Sequence, residues 1–315
     1  MKTAWLFPGQ GAQTVGMGRR LHEASAAARE VFAAADAALD EPLSAMIFEG
    51  PEEALTRTAN AQPAIVTTSI ATLAAVRERW PALPSPSYAA GHSLGEYSAL
   101  VAAEALALPD AVRLVRARGR AMQEAVPEGA GAMAAIMGLD GETLEGLCKR
   151  AAADTGETVS CANFNAPGQV VIAGTQRAVA RASALASEAK GKAIPLKVSA
   201  PFHCALMAPA ATSVASELDR VVVNNLVFPV VANVDAKANR EASRVKELLV
   251  RQVDGAVRWE QAVRLMHAEG VTHAVELGPG KVLAGLLKRI AKDVTVLSVS
   301  DPEGVEAVGP FLGLA

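Results

Sequence analysis

The stretch "SYAAGHSLGEYSAL", residues 87–100, decides the fold. Its first five residues are small or apolar and predict a short buried strand, and the run from Leu94 predicts a helix. Between them Gly91, Ser93 and Gly95 form G-x-S-x-G. A sharp strand-to-helix turn forces unusual backbone angles and close approach, which small flanking residues tolerate. The Ser93 hydroxyl then projects from the turn, in front of unpaired N–H groups at the positive end of the helix. From these residues alone two readings stay open: an activated nucleophile, or a serine capping a helix.

On either side the rhythm is that of strands alternating with helices. "TAWLF" (residues 3–7) is a strand, "PGQGAQ" (8–13) a glycine-bearing loop, and 17–39 an alanine-rich helical region. A helix is expected at 64–80, closed by Pro81, Pro84 and Pro86. Such alternation predicts an α/β domain with a mainly parallel sheet. From 129 to 198 the order changes to strand, helix, strand, strand, helix, strand, the βαββαβ pattern of ferredoxin-like units. The expectation is a large domain from residues 1–128 and 199–315 with a small domain, 129–198, inserted into it. A single continuous α/β sheet is the alternative.

Composition narrows the function classes. With 315 residues, 51% of them hydrophobic and 20% charged, the chain is long enough for one large core and a satellite. A formal charge of -3 with scattered basic residues gives no footprint for nucleic acid, although a local basic patch facing an acidic carrier remains compatible with it. Three widely spaced cysteines, Cys148, Cys161 and Cys204, form no C-x-x-C arrangement, so neither a disulfide framework nor a zinc site is expected and a reducing, cytoplasmic setting is. The apolar run before Pro8 is too short for a signal peptide, and nothing approaches the ~18 uninterrupted apolar residues of a membrane span.

A serine nucleophile needs a base, usually histidine. Of the five histidines, His22 lies in a polar, alanine-rich helix and is expected to face solvent, and His267 lies near a helix end. His92 adjoins Ser93 and should point away from it across the turn, while His273 precedes an apolar strand. His203, in "SAPFHCALMAPA" (199–210), occupies a loop just past the inserted segment, where a cleft should form, and is the best-placed base; a packed histidine is the alternative. Gln10, between glycines after a strand, could present its backbone N–H to an oxyanion or bind phosphate. Of Arg116, Arg118 and Arg120, any that turned inward would need a carboxylate from the protein or from a substrate.

Together these segments resemble the malonyl-CoA:acyl carrier protein transacylases of fatty acid synthesis and the related acyltransferase domains of polyketide synthases. The resemblance runs in order through "FPGQGAQTVGMG", "GHSLGEYSAL", "RARGRAMQEAVPEGAGAMAAIMGL", "NFNAPGQVVIAG", "SAPFHCALM", "LVRQ" and "ELGPGKVLAGLLKRI", nearly the whole chain. It implies an α/β-hydrolase-like large domain beside the ferredoxin-like one. It implies that Ser93 is the nucleophile that becomes malonylated and His203 its base. Gln10 and Leu94 match the oxyanion hole, and Arg118 the partner of the malonyl carboxylate. Gln252 matches the residue whose main chain orients the histidine, and Phe202 an aromatic found in many malonyl-selective members.

The implied reaction is ping-pong transfer from malonyl-CoA to the phosphopantetheine thiol of an acyl carrier protein, with no metal or permanently bound cofactor, by a monomer in the cytoplasm. The competing reading is a serine hydrolase, whose late histidine would be His273 with Asp254 before it. A second competitor is a non-catalytic scaffold, which intact Ser93, His203 and Arg118 disfavour, or a specialised relative, either a discrete acyltransferase serving a polyketide synthase or the malonyl-loading subunit of a malonate decarboxylase, which they leave open.

Overall fold

Ten strands fall into two separate sheets in the computed structural model, which describes residues 1–127 and 129–314. The expected domain limits at Glu128 and Ala315 therefore lie outside the described residues. The strands are β1 (Thr3–Phe7), β2 (Tyr88–Gly91), β3 (Gly131–Met137), β4 (Val159–Ala166) and β5 (Gln169–Thr175). They continue with β6 (Lys192–Pro195), β7 (Val230–Val231), β8 (Ala238–Asn239), β9 (His273–Leu277) and β10 (Thr295–Val299).

The first sheet has the order β10-β9-β1-β2-β7-β8, parallel except for the edge strand β8. The second has the order β4-β5-β3-β6, antiparallel throughout, with the helices Gly141–Thr155 and Gln176–Glu188 between its strands in sequence. This is the α/β architecture that the sequence predicts, with a large parallel sheet and a small βαββαβ unit. A continuous sheet is excluded, because none of β3 to β6 pairs with a strand of the first sheet.

β1 shows why the parallel sheet sits in the middle. Its five residues are all buried, and its side chains alternate between two cores. Trp5 and Phe7 join the cluster containing Phe32, Ile65, Tyr97 and Leu114, whereas Ala4 and Leu6 join Trp259, Val263 and Leu283. Helices thus cover both faces and leave the strand ends as the place for a site. Phe7 lies opposite Gly91, Leu6 opposite Glu276 and Ala90 opposite Val231, so the loops after β1, β2, β7 and β9 leave from one edge. Ligands of open α/β sheets bind at that carboxyl edge. The small sheet is tied beside it: Phe164 N donates to Val257 O at 2.9 Å, and Val257 N to Ala162 O at 2.8 Å.

Four local expectations are corrected. The helical region 17–39 breaks into Arg19–Ala24 and Ala26–Leu39, because the Ser25 hydroxyl accepts from Ala28 N at 3.0 Å and caps a new helix. The helix expected from residue 64 begins at Thr58 and takes Pro63 into its interior. Burial of nearly every residue from Ala61 to Val76 outweighs the single hydrogen bond that the proline nitrogen cannot donate. The last strand of the small unit stops at Pro195 rather than reaching 198, and the chain then turns into the cleft. His22 is half-buried rather than solvent-facing, edge-on to Phe32 and Phe48 at 5.7 and 5.2 Å.

Candidate active site

The elbow is imposed by sterics. A Cβ on Gly91 would stand 1.9 Å from the Gly95 carbonyl, and one on Gly95 would stand 2.2 Å from Phe7 O, so both positions exclude any larger residue. Ser93 between them has φ 52°, the left-handed region that a serine rarely occupies. Asn233, just past β7, holds it there: its Oδ1 accepts from Ser93 N at 2.7 Å and its Nδ2 donates to Gly91 O at 2.7 Å. The helix Gly95–Ala102 starts with Leu94 as its cap, with no side-chain capping bond. The capping role for Ser93 is thereby ruled out, and its hydroxyl is free for other partners.

Those partners come from distant parts of the chain. His203 Nε2 lies 2.7 Å from Ser93 Oγ, and His203 Nδ1 lies 2.9 Å from the main-chain carbonyl of Gln252. A carbonyl only accepts, so Nδ1 carries the proton and Nε2 presents its lone pair to the serine hydroxyl. A backbone dipole thus orients the imidazole where a carboxylate would stand in a Ser-His-Asp arrangement. The third contact is Arg118 Nη2, which donates to Ser93 Oγ at 3.1 Å. A cation there stabilises negative charge developing on the oxygen.

Arg118 is 1% exposed, and no carboxylate lies within salt-bridge distance of it among the described residues. Amide oxygens hold it instead: Nη1 donates to Gln62 Oε1 and Nη2 to Gln252 Oε1, both at 2.8 Å, with the Tyr97 ring 5.8 Å from the guanidinium carbon. Close helix packing makes this possible, since a Cβ on Gly119 would stand 2.7 Å from Ala59 Cα. Its neighbour Arg116 is buried too, but is paired with Glu41 at 2.7 Å. Of the two inward arginines, only Arg118 lacks a carboxylate.

Burial and the adjacent Arg118 charge push the His203 pKa down to about 3, so the resting imidazole is neutral, the form able to accept a proton. Burial also lowers the Arg118 pKa, with Tyr97 and Glu96 opposing that shift. Arginine nonetheless remains protonated at neutral pH.

A cavity of about 300 Å³ opens in front of Ser93. Gln10, Arg118, Phe202 and His203 line it together with Ser93, while Gln252 stands behind the histidine. Among the described residues, neither the Gln10 nor the Leu94 backbone N–H donates a hydrogen bond, whereas the Ser93 N–H is taken by Asn233. Five of the seven residues singled out from the sequence thus line one cavity, Leu94 follows Ser93 in the elbow, and Gln252 backs His203 and Arg118. His273 is elsewhere: it opens β9 opposite Thr3, whereas the elbow follows the far ends of β1 and β2, about 13 Å along the strands. His267 pairs with Asp293 at 2.9 Å, away from the cleft. The three cysteines are free and buried, and no metal-holding group of His, Cys, Asp or Glu occurs among the described residues.

Several polar residues of the site escaped the sequence reading, four of them in its hydrogen-bond network. Gln62 and Asn233 are described above, and Glu96 accepts from Gln252 Nε2 at 2.8 Å. Asn165, on β4, meets His92 Nε2 at 2.8 Å and links the elbow to the small sheet.

A hydroxyl placed between a neutral imidazole and a cation, in a cleft at the carboxyl edge of a parallel sheet, is built to attack an acyl carbonyl. With the family match, fold and site place the chain among the acyltransferases. The acyl transferase domain family matches residues 4–309. Over 306 residues the chain is 49% identical to the malonyl CoA-acyl carrier protein transacylase of Bacillus subtilis, covering 97% of this chain and 95% of that protein. The crystal structure of an acyl-carrier-protein S-malonyltransferase from Bartonella henselae superposes with a TM-score of 0.96 at 45% identity, covering 100% of both chains. A malonyl-transacylase in complex with its type II polyketide synthase acyl carrier protein superposes with a TM-score of 0.94 at 43% identity, covering 99% of this chain and 100% of that one. The chain belongs to this acyl transferase family, among the malonyl CoA-acyl carrier protein transacylases.

Proposed function

We propose that the protein moves a malonyl group from malonyl-CoA to the phosphopantetheine thiol of an acyl carrier protein through a malonyl-Ser93 ester. Ser93 gives its proton to His203 Nε2 as Oγ attacks the thioester carbon. The tetrahedral oxyanion is received by the backbone N–H groups of Gln10 and Leu94. The C–S bond then breaks, and His203 returns the proton to the sulfur, releasing coenzyme A as a thiol. In the second half-reaction the carrier thiol gives its proton to His203 and its sulfur attacks the ester. The C–O bond breaks, and the proton goes back to Ser93 Oγ. No net proton is gained or lost, and no metal or redox group takes part.

The observation that carries this reading is Arg118: a buried cation without a carboxylate of its own, donating at 3.1 Å to the nucleophile. A substrate that brings a carboxylate completes the pair bidentately, while an acetyl group leaves it unmatched. Phe202, beside His203 in the cavity wall, occupies space toward which an α-methyl group would project. In this account residues 1–128 and 199–315 act as the catalytic domain and 129–198 as the wall that closes the cleft. In this reading the working unit is a monomer in the cytoplasm; among the described residues no helix is long and apolar enough to cross a membrane. The test is incubation with malonyl-CoA followed by mass spectrometry of the Ser93 peptide. A malonyl adduct on Ser93, absent in Ser93→Ala and discharged by a carrier protein, is the expected result; an unmodified Ser93 overturns the reading.

A further inference from the structure

Glu96 stands in the first turn of the helix after Ser93, yet its carboxylate has no part in the steps above. It is 2% exposed. Its Oε2 accepts from Gln252 Nε2 at 2.8 Å and from Asn233 N at 3.0 Å. The other end of the same Gln252 amide, Oε1, accepts from Arg118 Nη2 at 2.8 Å, and Nε2 also donates to Ser93 O at 3.0 Å. Arginine can only donate, whereas a carboxylate and a carbonyl only accept, so the amide has one permitted orientation. One side-chain amide therefore separates a buried cation from a buried anion, and the main chain of that residue holds His203.

We propose that Glu96 is the resident counter-charge of Arg118, coupled to it through the Gln252 amide, and that it sets how tightly the site grips the carboxylate of an incoming acyl group. The proposal rests on the reading of Arg118 as the substrate's partner. In the empty site the two charges balance across the amide, leaving the guanidinium free for a second carboxylate. Once that carboxylate arrives, the buried cluster holds two anions and one cation, and Glu96 takes a proton from solvent to restore balance. The charged groups facing Glu96 are Arg118, which favours its ionised form, and Asp235, which opposes it; the neutral Tyr97 phenol lies nearby. Burial, the largest influence, pushes the Glu96 pKa up to about 7, where a modest change in local charge moves the proton. As a positioning residue Glu96 keeps the grip weak enough for the acyl group to move on to the next thiol.

Glu96→Gln tests this, because a glutamine keeps an oxygen for Gln252 and Asn233 and removes only the charge. At pH 8 the KM for malonyl-CoA should fall on the order of tenfold, with a fall in kcat for transfer to the carrier. Acylation by acetyl-CoA, which brings no carboxylate, should change far less. At pH 6, where Glu96 is already protonated, the two proteins should coincide. Malonylation of Ser93 in weak buffer at pH 8 should take up a proton in the unsubstituted protein and none in the variant. Equal effects on malonyl-CoA and acetyl-CoA, no effect on either, or the same proton uptake in both proteins would each overturn the proposal. If the variant does not fold, the unsubstituted protein still decides: a malonyl-CoA KM that rises through pH 7 beside a flat acetyl-CoA KM supports it, and two flat profiles refute it. Failure of Ser93 to be malonylated at all refutes the parent reading instead, a separate outcome.

Discussion

Replacing Arg118 by alanine should change which acyl group the enzyme accepts. The guanidinium is buried, fixed by two amide oxygens at 2.8 Å, and donates to Ser93 Oγ at 3.1 Å. Removing one partner of a buried, hydrogen-bonded charge pair costs ~3 to 5 kcal/mol, because the remaining charge is left uncompensated. For malonyl-CoA that corresponds to a fall in kcat/KM of about 10²- to nearly 10⁴-fold. Acetyl-CoA presents no carboxylate and loses only the hydrogen bond to Ser93 Oγ, worth about tenfold. The malonyl-to-acetyl preference should therefore drop at least about tenfold, beyond any general damage from the cavity left by the side chain. The assay is single-turnover acylation of Ser93 by each thioester, with kcat/KM measured in parallel. Malonyl transfer retained within about threefold, or an unchanged preference, would show that Arg118 is not the carboxylate's partner.

The pH profile and the α-substituent give two further tests. With its pKa held down to about 3, chiefly by burial, His203 stays neutral far below the usual histidine range, so the base form is lost only in strong acid. Burial persists when Arg118 is neutralised by substrate. Acylation at saturating malonyl-CoA should then keep most of its rate from pH 8 down to well below 6.5; stopped-flow rates falling with a midpoint at 6.5 would mean a solvated imidazole. Phe202→Ala should raise methylmalonyl-CoA acylation relative to malonyl-CoA by a factor worth ~1 to 3 kcal/mol, measured as a ratio of kcat/KM values. An unchanged ratio would free Phe202 of any part in selectivity.

What was legible in the sequence follows from the range of the interactions. The elbow prints itself locally, because Gly91 and Gly95 are required by contacts within a few residues and with β1. The βαββαβ unit is similarly local, its turns and helix caps at Asp140 and Thr175 lying inside one contiguous segment. His203 and Arg118 meet Ser93 across 110 and 25 residues; loop position made His203 the best-placed base with a packed histidine still open, and only the ordered resemblance of several motifs separated Arg118 from Arg116 and Arg120. Asn233 follows a strand of two residues, too short to show any period, though its place past a strand end was a signal. Gln62 precedes Pro63 in a segment read as lying before the helix, and Glu96 reads as an ordinary first-turn acid. Gln62, Asn233 and Glu96 are polar, buried and satisfied by partners from other elements, and half-buried Asn165 meets His92 across 73 residues, relations that no local pattern encodes.

The central claim is that the acyl group on Ser93 goes to a thiol and not to water. It is tested by loading the enzyme with radiolabelled malonyl-CoA, removing free substrate, and following the malonyl-Ser93 ester with and without phosphopantetheinylated carrier protein. The account predicts an adduct that persists in buffer and passes rapidly to the carrier thiol. Rapid release of free malonate in buffer, unaffected by carrier, would contradict it.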